Sequence, residues 1–195
     1  PNNPTGGIFT RDELSAFLRK TPKDILIIMD EAYFEYANHL SDKYPDSALI
    51  AENVITLRTF SKAYALAGLR LGYAIGQASI IQQLEKVLSV FSPNILAQIA
   101  GIAALKDDLH LGKTLQLNAS ILNQYIECFE DLGLLYGPAF ANFICLIFED
   151  EVEAKQFENQ LNSRNILVRS CAASGLNHMV RISTGLQSEC DLFIK

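Results

Sequence analysis

Ile25-Leu26-Ile27-Ile28-Met29 is an unbroken apolar run that stops at Asp30. A run this short and this continuous matches a strand covered on both faces, as in a parallel sheet flanked by helices; a half-solvated strand would alternate. Val54–Leu57 and Leu71–Ile75 repeat the pattern. Helical signals fall between these runs. Thr10-Arg11-Asp12-Glu13 reads as a capping box with Thr10 as N-cap, opening a helix that runs to about Lys20 and stops at Pro22. Ala78–Leu88 has helical periodicity. Pro93 suits a first helical position, so a helix is expected from Asn94 to Leu105, and a long one from Lys113 to Leu132 with Gly133 as its stop. Strands then follow at Asn142–Phe148, Ile166–Arg169 and Met179–Ser183, with helices at Glu151–Leu161 and from Ser188. Strands alternating with helices predict an α/β fold, with a boundary near Leu105–Lys113 that separates residues 1–107 from 108–195.

The 195 residues are 49% hydrophobic and carry a net charge of −6, which excludes a disordered chain and leaves room for one large domain or two small ones. The acidic balance argues against a nucleic-acid partner. No apolar stretch approaches the ~20 residues that cross a bilayer, so no membrane partner is expected. Cys128, Cys145, Cys171 and Cys190 form no C-x-x-C pair and have no histidine at ligand spacing. They read as separate thiols in a reducing compartment, the cytoplasm, with no metal. His39, His110 and His178 are isolated. No leader is visible. The chain opens on turn chemistry, Pro1-Asn2-Asn3-Pro4-Thr5-Gly6-Gly7, and stops inside an apparent helix at Leu192–Lys195, so it is expected to be a piece of a longer protein.

Four features carry chemistry. Asp30 ends the first apolar run, with Tyr33 three residues on; ligands in α/β folds sit beyond the carboxyl ends of strands. Such a carboxylate can hold a cationic ring nitrogen, or it can cap a helix. Thr59-Phe60-Ser61-Lys62 gathers two hydroxyls and an amine beyond the second run. A lysine there can form a Schiff base with a carbonyl or sit in solvent. Gly68-Leu69-Arg70-Leu71-Gly72 places an arginine suited to phosphate between two glycines, or in an ordinary turn. Arg169 and Arg181 lie on late strands, and Arg181 sits between Val180 and Ile182. Burying it requires an anionic partner, either an internal acid or a carboxylate or phosphate ligand.

In this order and wording, Pro-Asn-Asn-Pro-Thr-Gly, Asp-Glu-Ala-Tyr and Arg-Thr-Phe-Ser-Lys-Ala-Tyr-Ala-Leu-Ala-Gly-Leu-Arg-Leu-Gly-Tyr resemble the pyridoxal-phosphate-dependent aminotransferases of fold type I, in particular their histidinol-phosphate branch. The resemblance spans nearly the whole chain and is most specific around Lys62. It implies the C-terminal part of a large, mostly parallel-sheet domain followed by a small α/β domain. It implies pyridoxal 5′-phosphate as cofactor, bound covalently by Lys62, which then moves the proton between substrate and cofactor carbons. Asp30 would pair with the ring nitrogen, Asn3 and Tyr33 with the ring 3-oxygen, and Thr59, Ser61 and Arg70 with the phosphate. Arg181 would hold a substrate carboxylate and Arg169 a substrate phosphate. The substrates implied are an amino acid or phosphorylated amine and 2-oxoglutarate, in histidine biosynthesis, on a homodimer. In the family an N-terminal portion supplies an aromatic stacking residue and a further phosphate loop. These residues lack both, so they are expected to bind the cofactor poorly in isolation and to expose apolar surface. Three alternatives stay open: a threonine-phosphate decarboxylase, which Val168-Arg169-Ser170-Cys171 and Gly175-Leu176 resemble; an aromatic-amino-acid transaminase; and a non-catalytic aminotransferase-like module of a regulator.

Overall fold

The computed structural model describes all residues, Pro1–Lys195. They form two compact units, Phe9–Thr114 and a C-terminal unit made of Leu115–Lys195 together with Pro1–Ile8. No helix is long and apolar enough to cross a membrane.

The unit Phe9–Thr114 contains α1 (Arg11–Lys20), β1 (Ile27–Asp30), α2 (Phe34–Leu40), β2 (Val54–Thr59), β3 (Gly72–Ile75), α3 (Ala78–Glu85) and α4 (Ile95–Ala104). Its sheet runs in the order β1-β2-β3. The first two strands are parallel, with Asp30 opposite Leu57, and β3 returns antiparallel, with Gly72 opposite Thr59. In the central strand Val54, Ile55 and Thr56 are all buried, as an unbroken run requires. β1 departs from that expectation. It is an edge strand, and Ile27 is buried while Ile28 is 61% exposed, because no element of the chain covers its second face.

The capping box forms as read. The Thr10 hydroxyl accepts the Glu13 N–H at 3.3 Å, and the Glu13 carboxylate accepts the Thr10 N–H at 2.7 Å. Thr10→Ala is expected to cost about 1 kcal/mol of stability, read as a lower urea midpoint at unchanged slope. α4 starts one residue later than predicted. Asn94 is its N-cap, accepting the Ala97 N–H at 2.9 Å, so Pro93 lies outside the helix. α3 ends at Glu85, short of the expected Leu88.

The C-terminal unit holds most of α5 (Asp108–Asp131), then β4 (Leu135–Tyr136), β5 (Phe143–Ile147), α6 (Glu151–Ser163), β6 (Arg169–Ser170), β7 (Met179–Ser183) and α7 (Gln187–Ile194). The sheet order is β4-β5-β7-β6, antiparallel throughout. Phe143, Ile144, Cys145 and Leu146 of β5 are buried, as are Ile121, Leu122, Tyr125 and Phe129 of α5. Tyr125 and Phe129 meet the ring of Phe193 edge-on. α5 begins ahead of the predicted Lys113 because Asp107 accepts the His110 N–H at 2.9 Å and starts the first turn. Gly133 ends the region at φ +67°, where a side chain would be strained. The two-residue strand β4 carries too short a pattern to predict. Arg169 opens β6 rather than closing a longer strand.

Pro1–Ile8 is tied to β5. The Gly6 N–H donates to Asn2 O and the Asn2 N–H to Gly7 O, each at 2.8 Å, and the Cys145 thiol donates to Pro4 O at 2.8 Å. Gly6 sits at φ +76°, and a Cβ there would run into the Pro138 carbonyl oxygen. Only glycine permits this turn to lie against that backbone.

Candidate active site

Because β1 and β2 are parallel, their carboxyl ends lie side by side. Asp30 ends β1 with an exposed side chain, and its Oδ1 accepts the Ala32 N–H at 3.0 Å. This is a two-residue side-chain turn rather than a helix cap. The N-cap of α2 is Tyr33 instead. The turn carries Tyr33 into a buried position, and the Lys62 Nζ stands 5.2 Å from the centre of its ring. Lys62 belongs to none of the ion pairs of the chain.

The loop bearing Lys62 is held by its own backbone. Phe60 N–H donates to Leu71 O at 3.1 Å, and Leu66 N–H donates to Phe60 O at 2.9 Å. The Thr59 hydroxyl accepts the Ser61 N–H at 3.1 Å and donates to Leu71 O at 3.3 Å. These bonds set Arg70 beside the Thr59–Lys62 loop. Arg70 follows a short 3-10 turn, Ala67–Leu69, at φ +53°, and its Nη1 donates to Ala67 O at 2.9 Å. Such a left-handed position for a residue with a side chain is uncommon and gathers at ligand sites. Asp30, Tyr33, Thr59, Ser61, Lys62 and Arg70 therefore share one end of the three-stranded sheet.

Asn3, Arg169 and Arg181 belong to the C-terminal unit. Arg181 lies opposite Arg169 across the β6–β7 pair. Its Nη1 donates to the Asn3 Oδ1 at 2.6 Å, and its guanidinium lies 4.9 Å from the centre of the Phe143 ring. No acid pairs with it, and its buried Nε has no hydrogen-bond partner. The internal-acid reading therefore has no partner in the structure. Cys145 and Cys171 lie nearby with their sulfurs 3.9 Å apart, and all four cysteines are free thiols. Burial pushes the Cys145 thiol up to about 12, which keeps it protonated and inert at neutral pH.

The sequence reading passed over one group. Glu31, next to Asp30, is 1% exposed and binds Arg58 of β2, with Oε2 at 3.0 Å from Nε and 2.9 Å from Nη2. The one local signal was Arg58 at the end of the apolar run Val54–Leu57, a weaker pattern than the mid-strand position that singled out Arg181.

The family model for aminotransferase class I and II matches residues 1–195. The histidinol-phosphate aminotransferase of Moorella thermoacetica is 38% identical over the whole chain, and histidinol-phosphate aminotransferase 1 of Bacillus cereus 41%; the chain covers 50% and 52% of them. The chain thus spans about half the length of these curated relatives. The structure resembles the crystal structure of histidinol-phosphate aminotransferase from Sinorhizobium meliloti in complex with pyridoxal-5′-phosphate, with a TM-score of 0.90 at 33% identity, covering all of this chain and 53% of that one. With every element and site motif inside the matched span, the chain belongs to the aminotransferase class I and II family.

Proposed function

We propose that this chain is the Lys62-bearing part of a histidinol-phosphate aminotransferase. That enzyme transfers an amino group between L-histidinol phosphate and 2-oxoglutarate with pyridoxal 5′-phosphate, as a cytoplasmic homodimer of histidine biosynthesis. The observation that carries the reading is the placement of the Lys62 amine over the Tyr33 ring, 5.2 Å from its centre, with Asp30 ending the neighbouring strand of a parallel pair. The donor set fits the cofactor: a primary amine outside any ion pair, a strand-end carboxylate, a phenol, two hydroxyls and an arginine in a turn.

When bound, pyridoxal phosphate supplies an electron sink for carbanion chemistry. The protein supplies position and charge. Asp30 would be the counter-ion for a protonated ring nitrogen. Tyr33 would be a hydrogen-bond partner of the ring oxygen, the role that the family resemblance also gives Asn3. Thr59, Ser61 and Arg70 would hold the phosphate, with Arg70 as the fixed cation. Lys62 is the general base that takes the substrate Cα proton and returns it. Arg181 receives the substrate carboxylate through donors that no protein acid occupies, and Arg169, its neighbour across the strands, receives the substrate phosphate.

The test is a half-reaction of the full-length protein with histidinol phosphate, followed by visible absorbance of the bound cofactor. Loss of the band with histidinol phosphate, and its return with 2-oxoglutarate, is the expected result. Release of CO₂ from threonine phosphate without any keto acid would overturn the transaminase reading in favour of a decarboxylase.

A further inference from the structure

The backbone ladder between β1 and β2 stops one residue past Asp30. Its last bond is Glu31 N–H to Leu57 O, 2.9 Å. Beyond that point the two chains part. One enters the Asp30–Tyr33 turn, and the other continues through Arg58 and Thr59, paired now only with β3 at Tyr73 and Gly72. Side chains take over where the ladder ends. Glu31 binds Arg58 through both Nε and Nη2. The Arg58 guanidinium also lies 3.5 Å from the centre of the Phe34 ring, in the first turn of α2.

A strap closes over this pair. Arg58 Nη2 reaches the Asp46 Oδ1 at 2.6 Å, and Ser47 N–H donates to the Glu31 Oε1 at 3.0 Å. The Ser47 and Thr56 hydroxyls share a bond of 2.7 Å. Glu31 and Arg58 are thus the centre of a satisfied, directional network. It spans the turn after β1, the end of β2, the start of α2 and the loop between α2 and β2. Buried ion pairs can often be exchanged for apolar residues of similar volume without loss of stability, so stability alone is a poor reason for this one. Directionality is a better reason: two guanidinium nitrogens, Nε and Nη2, converge on the Glu31 Oε2 while the Oε1 takes the Ser47 N–H, which fixes the orientation of both side chains.

We propose that Glu31 and Arg58 are positioning residues for the neighbouring site: their pair locks the ends of β1 and β2 together and so sets the placement of the Asp30 carboxylate relative to the Lys62 amine. The inference rests on the proposed aminotransferase reading for its catalytic consequence, but its structural part stands without it. Glu31 is next to Asp30 in the chain and Arg58 is four residues from Lys62. A shift at the pair is carried to both reacting groups over a few bonds.

The test compares the full-length protein with Glu31→Leu/Arg58→Met, which removes both charges at similar volume, and with Arg58→Lys, which keeps the charge but loses the two-point geometry. In cofactor-free protein, amide hydrogen exchange is expected to speed up in residues 30–34 and 58–62 of the double variant, with the thermal midpoint near that of the parent. In loaded protein, the visible circular dichroism of the cofactor is expected to change. The half-reaction should lose on the order of a hundredfold in kcat with KM little altered, the cost of about an ångström of misplacement. Arg58→Lys should fall between. A double variant with parental exchange in both segments overturns the proposal, whether or not the protein loads cofactor. Faster exchange together with parental dichroism and kcat also overturns it, since the pair would then be structural only. A parent protein that neither loads cofactor nor reacts would instead count against the proposed function.

Discussion

Replacing Lys62 by alanine is expected to remove the half-reaction with histidinol phosphate by at least about 10⁴-fold in kcat, the upper range for loss of a positioned acid–base group. The effect should be this large because the proposed function gives Lys62 two purposes at once, covalent anchor and proton carrier. The groups near it are the Tyr33 ring at 5.2 Å and the Thr59 and Ser61 of its own loop. The substitution should leave the fold intact. The loop is held by Phe60–Leu71, Leu66–Phe60 and Thr59–Leu71 hydrogen bonds, none of which uses the Lys62 side chain. Lys62→Ala protein is therefore expected to melt near the parent temperature while losing the visible band of the bound cofactor. A variant that keeps the band would remove Lys62 from its assigned role.

Arg181→Leu is expected to show the opposite balance of stability and binding. In the free protein Arg181 is an expensive resident: its guanidinium has no acid, and its buried Nε has no partner. Deleting it removes an unsatisfied buried donor, so the unfolding free energy should change little or rise. The carboxylate substrate that the proposed function assigns to Arg181, by contrast, loses its cation. A loss of this kind costs about 2–5 kcal/mol, so kcat/KM for the carboxylate-bearing partner should fall by roughly 30-fold to a few thousandfold. Arg181→Lys should recover little, because an ammonium cannot reproduce a two-point contact with a carboxylate. Asn3→Ala removes one neutral partner of the guanidinium and should cost less. Steady-state kinetics with 2-oxoglutarate, set beside urea melts of the same variants, decide the matter. Equal losses in both measurements would assign Arg181 to the fold instead of the ligand.

Much of the candidate site was legible because it is written in short local runs. The Asp30–Tyr33 turn and the Thr59–Lys62 loop follow directly from apolar strands, and the carboxyl end of a parallel strand is where ligands bind. Capping is also local, so Thr10, Glu13 and Gly133 behaved as read. Arg58 was not picked out. Its meaning depends on Glu31, which is 27 residues away and becomes a partner only when β1 and β2 pair. Asn3 and Arg181 are 178 residues apart, and nothing in the local pattern of either announces their bond. The expected covering of β1 failed for a related reason. An apolar run records what a strand can tolerate on both faces, while its actual exposure depends on which elements pack against it.

The sequence by itself determined most of the element order, the helix ends at Thr10 and Gly133 and the residues that stand at the strand ends, because these depend on residues within a turn or two of one another; it did not show the short α2 and β4. Tertiary structure alone decided three further things. It reversed β3 to run against β2, joined Pro1–Ile8 to the C-terminal unit, and placed Glu31 on Arg58 where the backbone ladder runs out. Each of these rests on pairing between distant segments, whose partners are chosen by burial and hydrogen-bond satisfaction in the folded chain and leave no periodic trace along it.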